Sequence, residues 1–176
     1  MVIGAGAMAG TAAMEERGFS QSAEDLRINT EIQGQWMDHS FDMFQRLSLT
    51  VREGRVLVIG FVITPDQRLE AIKRIWRVPG VKEVINEIRI DDGSGGVDAL
   101  AQDTAAAAEI KAKMTLDKNI YSINYSVDVV RGVAYIMGIA QNEAELTRVI
   151  ALCKRLDYIK QVKQYVRIKS RAGETS

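Results

Sequence analysis

The chain repeats its own pattern at an offset of 78 residues, without a gap. At this offset Gly54 falls on Gly132 and Gly60 falls on Gly138, while segment 56–59 lies over another apolar segment of the second half. Apolar positions on both sides stay in register, although identity is low: Ile32 with Ile110, Ile72 with Ile150, Val84 with Val162 and Ile90 with Ile168. The repeat predicts two copies of one fold.

The first copy begins with a predicted helix that has Ser22 as its N-cap. Its apolar residues recur at mostly helical spacing, at Leu26, Ile28, Ile32 and Trp36. Residues 47–51 then alternate apolar and polar, residues 52–55 supply a turn, and residues 56–62 return as a second strand. This part of the chain predicts a helix followed by a β-hairpin.

A second helix is predicted to start at Thr64-Pro65, because proline is favoured at the first helical position. Its predicted buried stripe is Leu69, Ile72, Ile75 and Trp76. The helix ends at the Val78-Pro79-Gly80 segment, and residues 81–90 form a third strand. The second copy repeats this order, with helices near 103–116 and 142–155 and strands near 123–130, 133–140 and 159–168.

The predicted fold class is therefore α+β, with two αββαβ modules. Each module is a three-stranded mixed sheet with one face covered by two helices. Five glycines are expected to serve turns and close approaches: Gly54, Gly60, Gly80, Gly132 and Gly138. The expected boundaries are a Gly/Ala-rich segment 1–21, a first module 22–92, a linker 93–100, a second module 101–170 and a tail 171–176.

Charge is divided unequally between the two copies although the whole chain is neutral. Residues 20–92 carry ten Lys/Arg against twelve Asp/Glu, whereas residues 101–171 carry twelve against seven. The excess of five positive charges favours an acidic partner for the second copy. The alternative is a surplus of solvated lysines.

The pattern over residues 46–90 resembles the BON domain (bacterial OsmY and nodulation). The resemblance is carried by the apolar hairpin, by Gly60, and by segment 78–88, which reads Val-Pro-Gly-Val-Lys-Glu-Val-Ile-Asn-Glu-Ile. The second copy is a looser match, because Asp157-Tyr158-Ile159 stands in place of the family's glycine-valine pair and Gln164 replaces the equivalent of Asn86. The order of the two copies is similar to that of dual-BON envelope lipoproteins of the DolP and OsmY type.

The resemblance implies a protein of the Gram-negative envelope, periplasmic and associated with the outer membrane, without enzymatic activity. It implies binding to anionic phospholipid, typically through the second copy, or to envelope partners. No lipobox cysteine is present, so as a lipoprotein this chain would have to be a truncated or processed form. The alternative function is a structural protein that forms a homo-oligomer through sheet edges and apolar loops.

Lys111, Lys113 and Lys118 are the candidate residues for binding an anionic lipid or another acidic partner. Attachment to a membrane surface also needs an apolar or aromatic anchor. The start of the second copy's first helix carries only alanines at 105–108, so Tyr121 is the candidate anchor. Nucleic acid is not expected as a partner, because no nucleic-acid motif is present and the pI is about 6.6.

The sequence offers no constellation for catalysis, so no cofactor, metal or small-molecule substrate is expected. His39 and Cys153 belong to different copies, and one histidine with one cysteine cannot supply the three or four ligands of a zinc site. The G-x-G-x-x-A stretch at 4–9 has no preceding strand to hold a dinucleotide. The aromatic residues Trp36, Trp76, Phe41 and Phe44 are expected in the core, with presentation to a partner as the alternative for the two phenylalanines.

Overall fold

The chain divides into two compact units, residues 1–94 and residues 95–176. The computed structural model describes residues 18–91 of the first unit and 97–169 of the second. Most of the expected N-terminal segment, including the stretch at 4–9, lies outside the described residues, and so does the expected tail.

The first unit is an α+β module with one sheet. Its elements are α1 (Gly18–His39), α2 (Phe41–Arg46), β1 (Leu47–Arg52), β2 (Arg55–Val62), α3 (Pro65–Trp76) and β3 (Glu83–Ile90). Strand β2 lies in the centre, antiparallel to β1 and parallel to β3, as in the pairs Leu47–Gly60 and Val56–Val84. The sheet is therefore mixed, and α3 forms the crossover between its parallel strands.

The second unit repeats this order. Its elements are α4 (Val97–Leu116), a 3-10 turn (Ser122–Asn124), β4 (Tyr125–Val130), β5 (Val133–Ala140), α5 (Glu143–Lys154) and β6 (Gln161–Ile168). Strand β5 is antiparallel to β4 and parallel to β6, with the pairs Tyr125–Gly138 and Ala134–Val162 at the positions that the repeat assigns to their first-unit counterparts. The predicted αββαβ fold of both copies is confirmed.

Each sheet buries one face under its two long helices. In the first unit Ile28, Ile32 and Trp36 of α1 meet Val58 of β2 and Ile75 of α3. The indole N–H of Trp36 is satisfied in this core, because it donates to the carbonyl of Ala71 at 3.2 Å. In the second unit the corresponding core contains Ile110, Met114, Ile136, Val149 and Cys153.

The capping of α3 agrees with the predicted helix start. The Thr64 hydroxyl accepts from the backbone N–H of Gln67, and the Gln67 side chain accepts from the backbone N–H of Thr64. Together with Pro65 at the first helical position, this capping box fixes where the helix begins.

Helix α1 begins earlier than predicted. It runs from Gly18, so Ser22 lies inside the helix and the predicted N-cap is wrong. Leu26 is exposed, while the buried stripe is Ile28, Ile32 and Trp36. Helix α4 likewise begins at Val97, so residues 97–100 of the segment expected as linker are helical.

The predicted buried stripe of α3 is also partly wrong. Leu69 and Trp76 are both more than half exposed, whereas Ala71 and Ile75 are fully buried and Ile72 is half-buried. Leu69 and Trp76 lie two turns apart on one stripe, and at 100° per residue that stripe is nearly opposite Ala71. The side of α3 that faces the core therefore carries Ala71 and Ile75, and Leu69 and Trp76 face outward.

The aromatic connection after α1 forms the short helix α2, capped by the Ser40 hydroxyl. Phe41 is 59% exposed and Phe44 is half-buried, with their ring centroids 6.2 Å apart. Met43 between them is buried. The expectation that both phenylalanines lie in the core is wrong for Phe41. The six-residue helix α2 buries the side that carries Met43, and Phe41 lies on the other side.

None of the described helices is long and apolar enough to span a bilayer.

Candidate functional site

The four residues proposed from the sequence lie on α4 and on the connection that follows it, but they do not form one cluster. Lys118 and Tyr121 line the same cleft, of about 530 Å³. Lys111 lines a separate groove of about 310 Å³ with Met114, Ser122, Tyr125 and other residues. Lys113 forms an exposed ion pair with Glu109, one helical turn earlier, with 2.6 Å between its Nζ and a glutamate oxygen.

The cleft lies between two connections of the second unit. Lys118, Asn119 and Tyr121 come from the α4–β4 connection, residues 117–124. The opposite wall comes from the β5–α5 connection and the first turns of α5: Gln141, Asn142, Ala144, Glu145 and Arg148. Its volume falls within the range of small-molecule sites, about 300–1,000 Å³.

Glu145 ties these two connections together from below. It is only 4% exposed. One carboxylate oxygen accepts from the backbone N–H of Tyr121 and the other from that of Gln141, both at 2.8 Å. With one oxygen bound to each connection, Glu145 fixes the backbone next to the exposed Tyr121.

Arg148 holds the beginning of the same connection. Its Nε lies 2.6 Å from Oδ2 of Asp117, and the other Asp117 oxygen accepts from the backbone N–H of Asn119 at 3.0 Å. Two hydrogen bonds hold the pKa of the Asp117 carboxyl below its usual value. The larger effect comes from the Arg148 guanidinium and the smaller from the Asn119 N–H. Ile120 is buried in the core between these two attachments. The α4–β4 connection is thus held at three points.

Two apolar side chains project from this fixed connection. Leu116, the last residue of α4, is 81% exposed, and Tyr121 is 61% exposed. Lys118 lies between them in sequence and is itself exposed. Within the part of the chain that the structure describes, Lys118 has no ion-pair or hydrogen-bond partner. We call these three residues the 116–121 rim: an unpaired cation with an exposed aliphatic residue before it in the sequence and an exposed aromatic residue after it.

The sequence prediction missed Leu116, Glu145 and Arg148. Leu116 was not selected because an apolar residue at a helix end is usually buried. The contacts of Glu145 and Arg148 could not be predicted because their partners lie 24 and 31 residues away in the sequence. The repeat contained a signal for Glu145, since it falls on Gln67, the residue of the first unit that caps α3.

The equivalent connection of the first unit is built differently. Met43 occupies the position of Tyr121 and is buried, and Ser40, a helix cap, occupies that of Lys118. Gln67 bonds only within its own connection, to the N–H groups of Ile63 and Thr64. The exposed tyrosine and lysine are therefore specific to the second unit.

The five proposed structural glycines all have positive φ, between 73° and 157°. Gly60 and Gly138 lie where the neighbouring strand begins: a Cβ on Gly138 would lie 2.1 Å from the carbonyl oxygen of Asn124, and one on Gly60 would lie 2.2 Å from that of Arg46. No side chain fits between these backbones. Gly80 has Tyr158 as its counterpart in the second unit, and the hydroxyl of Tyr158 donates to Asp103 at 2.8 Å.

His39 and Cys153 belong to separate units and have separate structural contacts. Nδ1 of His39 lies 2.9 Å from an Nη of Arg74; because arginine can only donate, this nitrogen accepts a hydrogen bond from the guanidinium. Cys153 is fully buried, and burial raises the pKa of its thiol to about 11. A thiol that stays protonated is a poor nucleophile. Among the described residues no group of His, Cys, Asp and Glu side chains could hold a metal ion.

Known proteins related to this chain share its two-module organisation. The BON domain profile matches twice, at residues 24–92 and 102–170. A protein of Anaplasma centrale named "uncharacterized protein in gshII 5′ region" is 42% identical over 146 residues, covering 83% of this chain and 95% of that protein.

Two further relatives carry descriptive names. Osmotically-inducible protein Y of Escherichia coli is 29% identical over 147 residues, covering 83% of this chain and 73% of the relative. Outer membrane lipoprotein DolP of Haemophilus influenzae is 26% identical over 152 residues, covering 85% and 78%. With both matches falling on the two αββαβ units, the chain belongs to the BON domain family and contains two BON domains in tandem.

Proposed function

We propose that this chain is a non-enzymatic envelope protein whose second BON domain binds anionic phospholipid surfaces through the 116–121 rim. The observation that carries the proposal is the rim itself: Lys118, which has no partner among the described residues, together with the exposed side chains of Leu116 and Tyr121. A lysine beside an anionic surface contributes about 1 kcal/mol, and apolar neighbours that enter the interface add the anchor that charge alone lacks.

The net charge of the second domain supports the same function. Lys111 and Lys113 lie on α4, and Lys118 lies two residues beyond its end. Of the three, Lys113 is partly compensated by Glu109, so Lys118 is expected to contribute most. Exposed ion pairs are weak, and an anionic surface can compete for Lys113.

The envelope location rests on the named relatives. One relative is an outer membrane lipoprotein by its name. We propose a periplasmic location associated with the outer membrane for this chain, and no small-molecule substrate or nucleic acid as a partner.

Charge reversal at the rim tests the proposal. Lys118→Glu changes the local charge by two, so binding to vesicles that contain phosphatidylglycerol should weaken by about 2 kcal/mol, or about thirtyfold. The matched control is Lys154→Glu, which makes the same charge change at the far end of α5. That helix has 12 residues and is about 18 Å long, well beyond the Debye length of about 8 Å at physiological salt. An equal loss of vesicle binding in both variants would mean that the overall charge of the domain, and not the 116–121 rim, carries the binding.

A second function, contact of the first domain with another protein or another copy, is favoured by one observation. The stacked pair of Phe41 and Phe44 leaves a phenylalanine ring 59% exposed on a fixed helix. Sedimentation velocity of the wild-type chain and of Phe41→Ala tests this function, because loss of a defined oligomer in the variant would identify the contact.

A further inference from the structure

The cleft behind the rim has walls held by hydrogen bonds, and it carries donors that no described protein group uses. Arg148 contacts Asp117 through Nε, and within the described residues its Nη groups have no partner. Guanidinium has five N–H donors and ammonium three, and neither has an acceptor. Lys118 and Arg148 therefore line the cleft with unused donors for an anionic group.

The first turn of α5, which forms part of the cleft wall, has open backbone donors. Glu143 and Ala144 lie in the first turn, where N–H groups have no intrahelical acceptor. The cap residue Asn142 accepts from Glu145, at 2.9 Å, and leaves those two N–H groups open. Of these two residues, Ala144 lines the cleft together with Arg148.

One acid, Glu145, lines the cleft, and a second, Asp117, pairs with the lining residue Arg148; both accept hydrogen bonds from protein groups. Glu145 is buried with one backbone N–H on each oxygen, and Asp117 is bound to Arg148 and to the N–H of Asn119. Because both carboxylates already accept hydrogen bonds from protein groups, Lys118 and the Nη groups of Arg148 are left to contact a ligand.

From this arrangement we propose that the cleft is a phosphate subsite, in which Lys118 and Arg148 bind the oxygens of one phosphate group. The inference deepens the proposed function and rests on it for the lipid source of the phosphate. The headgroup phosphate enters the cleft while Leu116 and Tyr121 contact the surrounding lipid. Binding then depends on the geometry of one phosphate in addition to surface charge.

The test is a titration of the full chain with inorganic phosphate, followed by the backbone N–H resonances of Ala144 and Asn119. We expect saturable shifts that sodium chloride at equal ionic strength does not reproduce. Lys118→Gln and Arg148→Gln should each weaken binding by about tenfold, the effect of one lost charged hydrogen bond, whereas Lys154→Gln should change it less than twofold.

Asp117→Asn separates binding from positioning. This variant removes the ion pair but leaves Arg148 and an oxygen for the Asn119 N–H, so phosphate affinity should stay the same or rise. If Asp117→Asn weakened binding as much as Arg148→Gln, Arg148 would only position the connection and the subsite would be refuted. Equal shifts with chloride would refute it too.

Vesicles distinguish the two sources of phosphate. If phosphatidylglycerol vesicles bind and Arg148→Gln does not reduce this binding, the subsite is wrong while the proposed lipid function stands. If inorganic phosphate binds and the vesicles do not, the subsite stands for free phosphate and the proposed function is wrong.

Discussion

The carboxylate of Asp25 accepts a hydrogen bond from the backbone N–H of Gly54 at 2.9 Å, and its other oxygen accepts from that of Glu53 at 2.8 Å. The second domain repeats this contact with Asp103, which accepts from the N–H groups of Arg131 and Gly132. A buried aspartate on the first helix thus holds the tight turn of each hairpin, and the backbone there has positive φ at both turn residues.

Removing this aspartate should destabilise its domain. In Asp25→Ala two turn N–H groups lose a charged acceptor in a largely buried place, so the free energy of unfolding should fall by about 2–4 kcal/mol. Urea unfolding followed by tryptophan fluorescence measures this, since Trp36 is buried in the same domain. The control Asp38→Ala changes an exposed position of α1 and should stay within about 0.5 kcal/mol. A loss for Asp25→Ala no larger than that of the control would contradict the role of the turn contact.

Two glycine-to-alanine changes in the first domain should act in opposite directions. Gly60→Ala places a Cβ 2.2 Å from the carbonyl oxygen of Arg46, so strand β2 must shift and the unfolding free energy should fall by about 2 kcal/mol or more. Gly34→Ala lies on α1 with nothing within 4 Å and should raise it by about 1 kcal/mol. The same urea titration reads both, and a stabilising Gly60→Ala would contradict the described approach of β1 and β2.

Cys153 should react slowly in the folded chain. Because burial raises the pKa of its thiol to about 11 from the ordinary 9.0, the fraction of thiolate at pH 8 is about a hundredfold lower than for a solvated thiol. The rate of reaction with a disulfide reagent, measured before and after unfolding in urea, checks this. The raised pKa also makes stability depend on pH. The folded thiol keeps its proton where the unfolded thiol loses it, so this group lowers the free energy of unfolding as pH rises above about 9. Fast labelling of the folded chain would argue for an open, reactive thiol.

Tyr121→Ala and Phe41→Ala form a matched pair of exposed aromatic side chains, 61% and 59% exposed, one in each domain. If the second domain carries the lipid contact, Tyr121→Ala should reduce partitioning into phosphatidylglycerol vesicles by about tenfold, from the loss of one interfacial ring. Phe41→Ala should leave it unchanged. Both variants should unfold at the wild-type urea concentration. Equal partitioning of the two variants would show that the 116–121 rim does not make the lipid contact.

The sequence predicted the parts of this fold that depend on local patterns. The 78-residue register, the two hairpins and the Thr64-Pro65 helix start follow from alternation, turn glycines and capping, which act over a few residues. Trp76 was predicted as buried and is exposed, because a twelve-residue helix has apolar residues on more than one face and only packing chooses between them.

The candidate site was predictable in part for the same reason. Lys118 and Tyr121 could be chosen from charge and composition, and the structure does bring them to one cleft. The contacts of Glu145 and Arg148 that shape this cleft join segments far apart in the sequence. Asp25 and Asp103 were detectable in the repeat, since they coincide at the same offset, but an acid on a helix ordinarily indicates a solvated surface.

The most direct test of the central claim is flotation of the full chain with vesicles of phosphatidylcholine alone and of phosphatidylcholine with phosphatidylglycerol, at low and at high salt. We expect the chain to float only with the anionic vesicles, Lys118→Glu to stay in solution, and binding to weaken as salt shortens the Debye length from about 10 Å to about 3 Å. Equal flotation with both vesicle types would contradict the proposed binding of anionic lipid. So would no flotation with either, together with a defined oligomer in sedimentation velocity, and that second result would favour self-assembly.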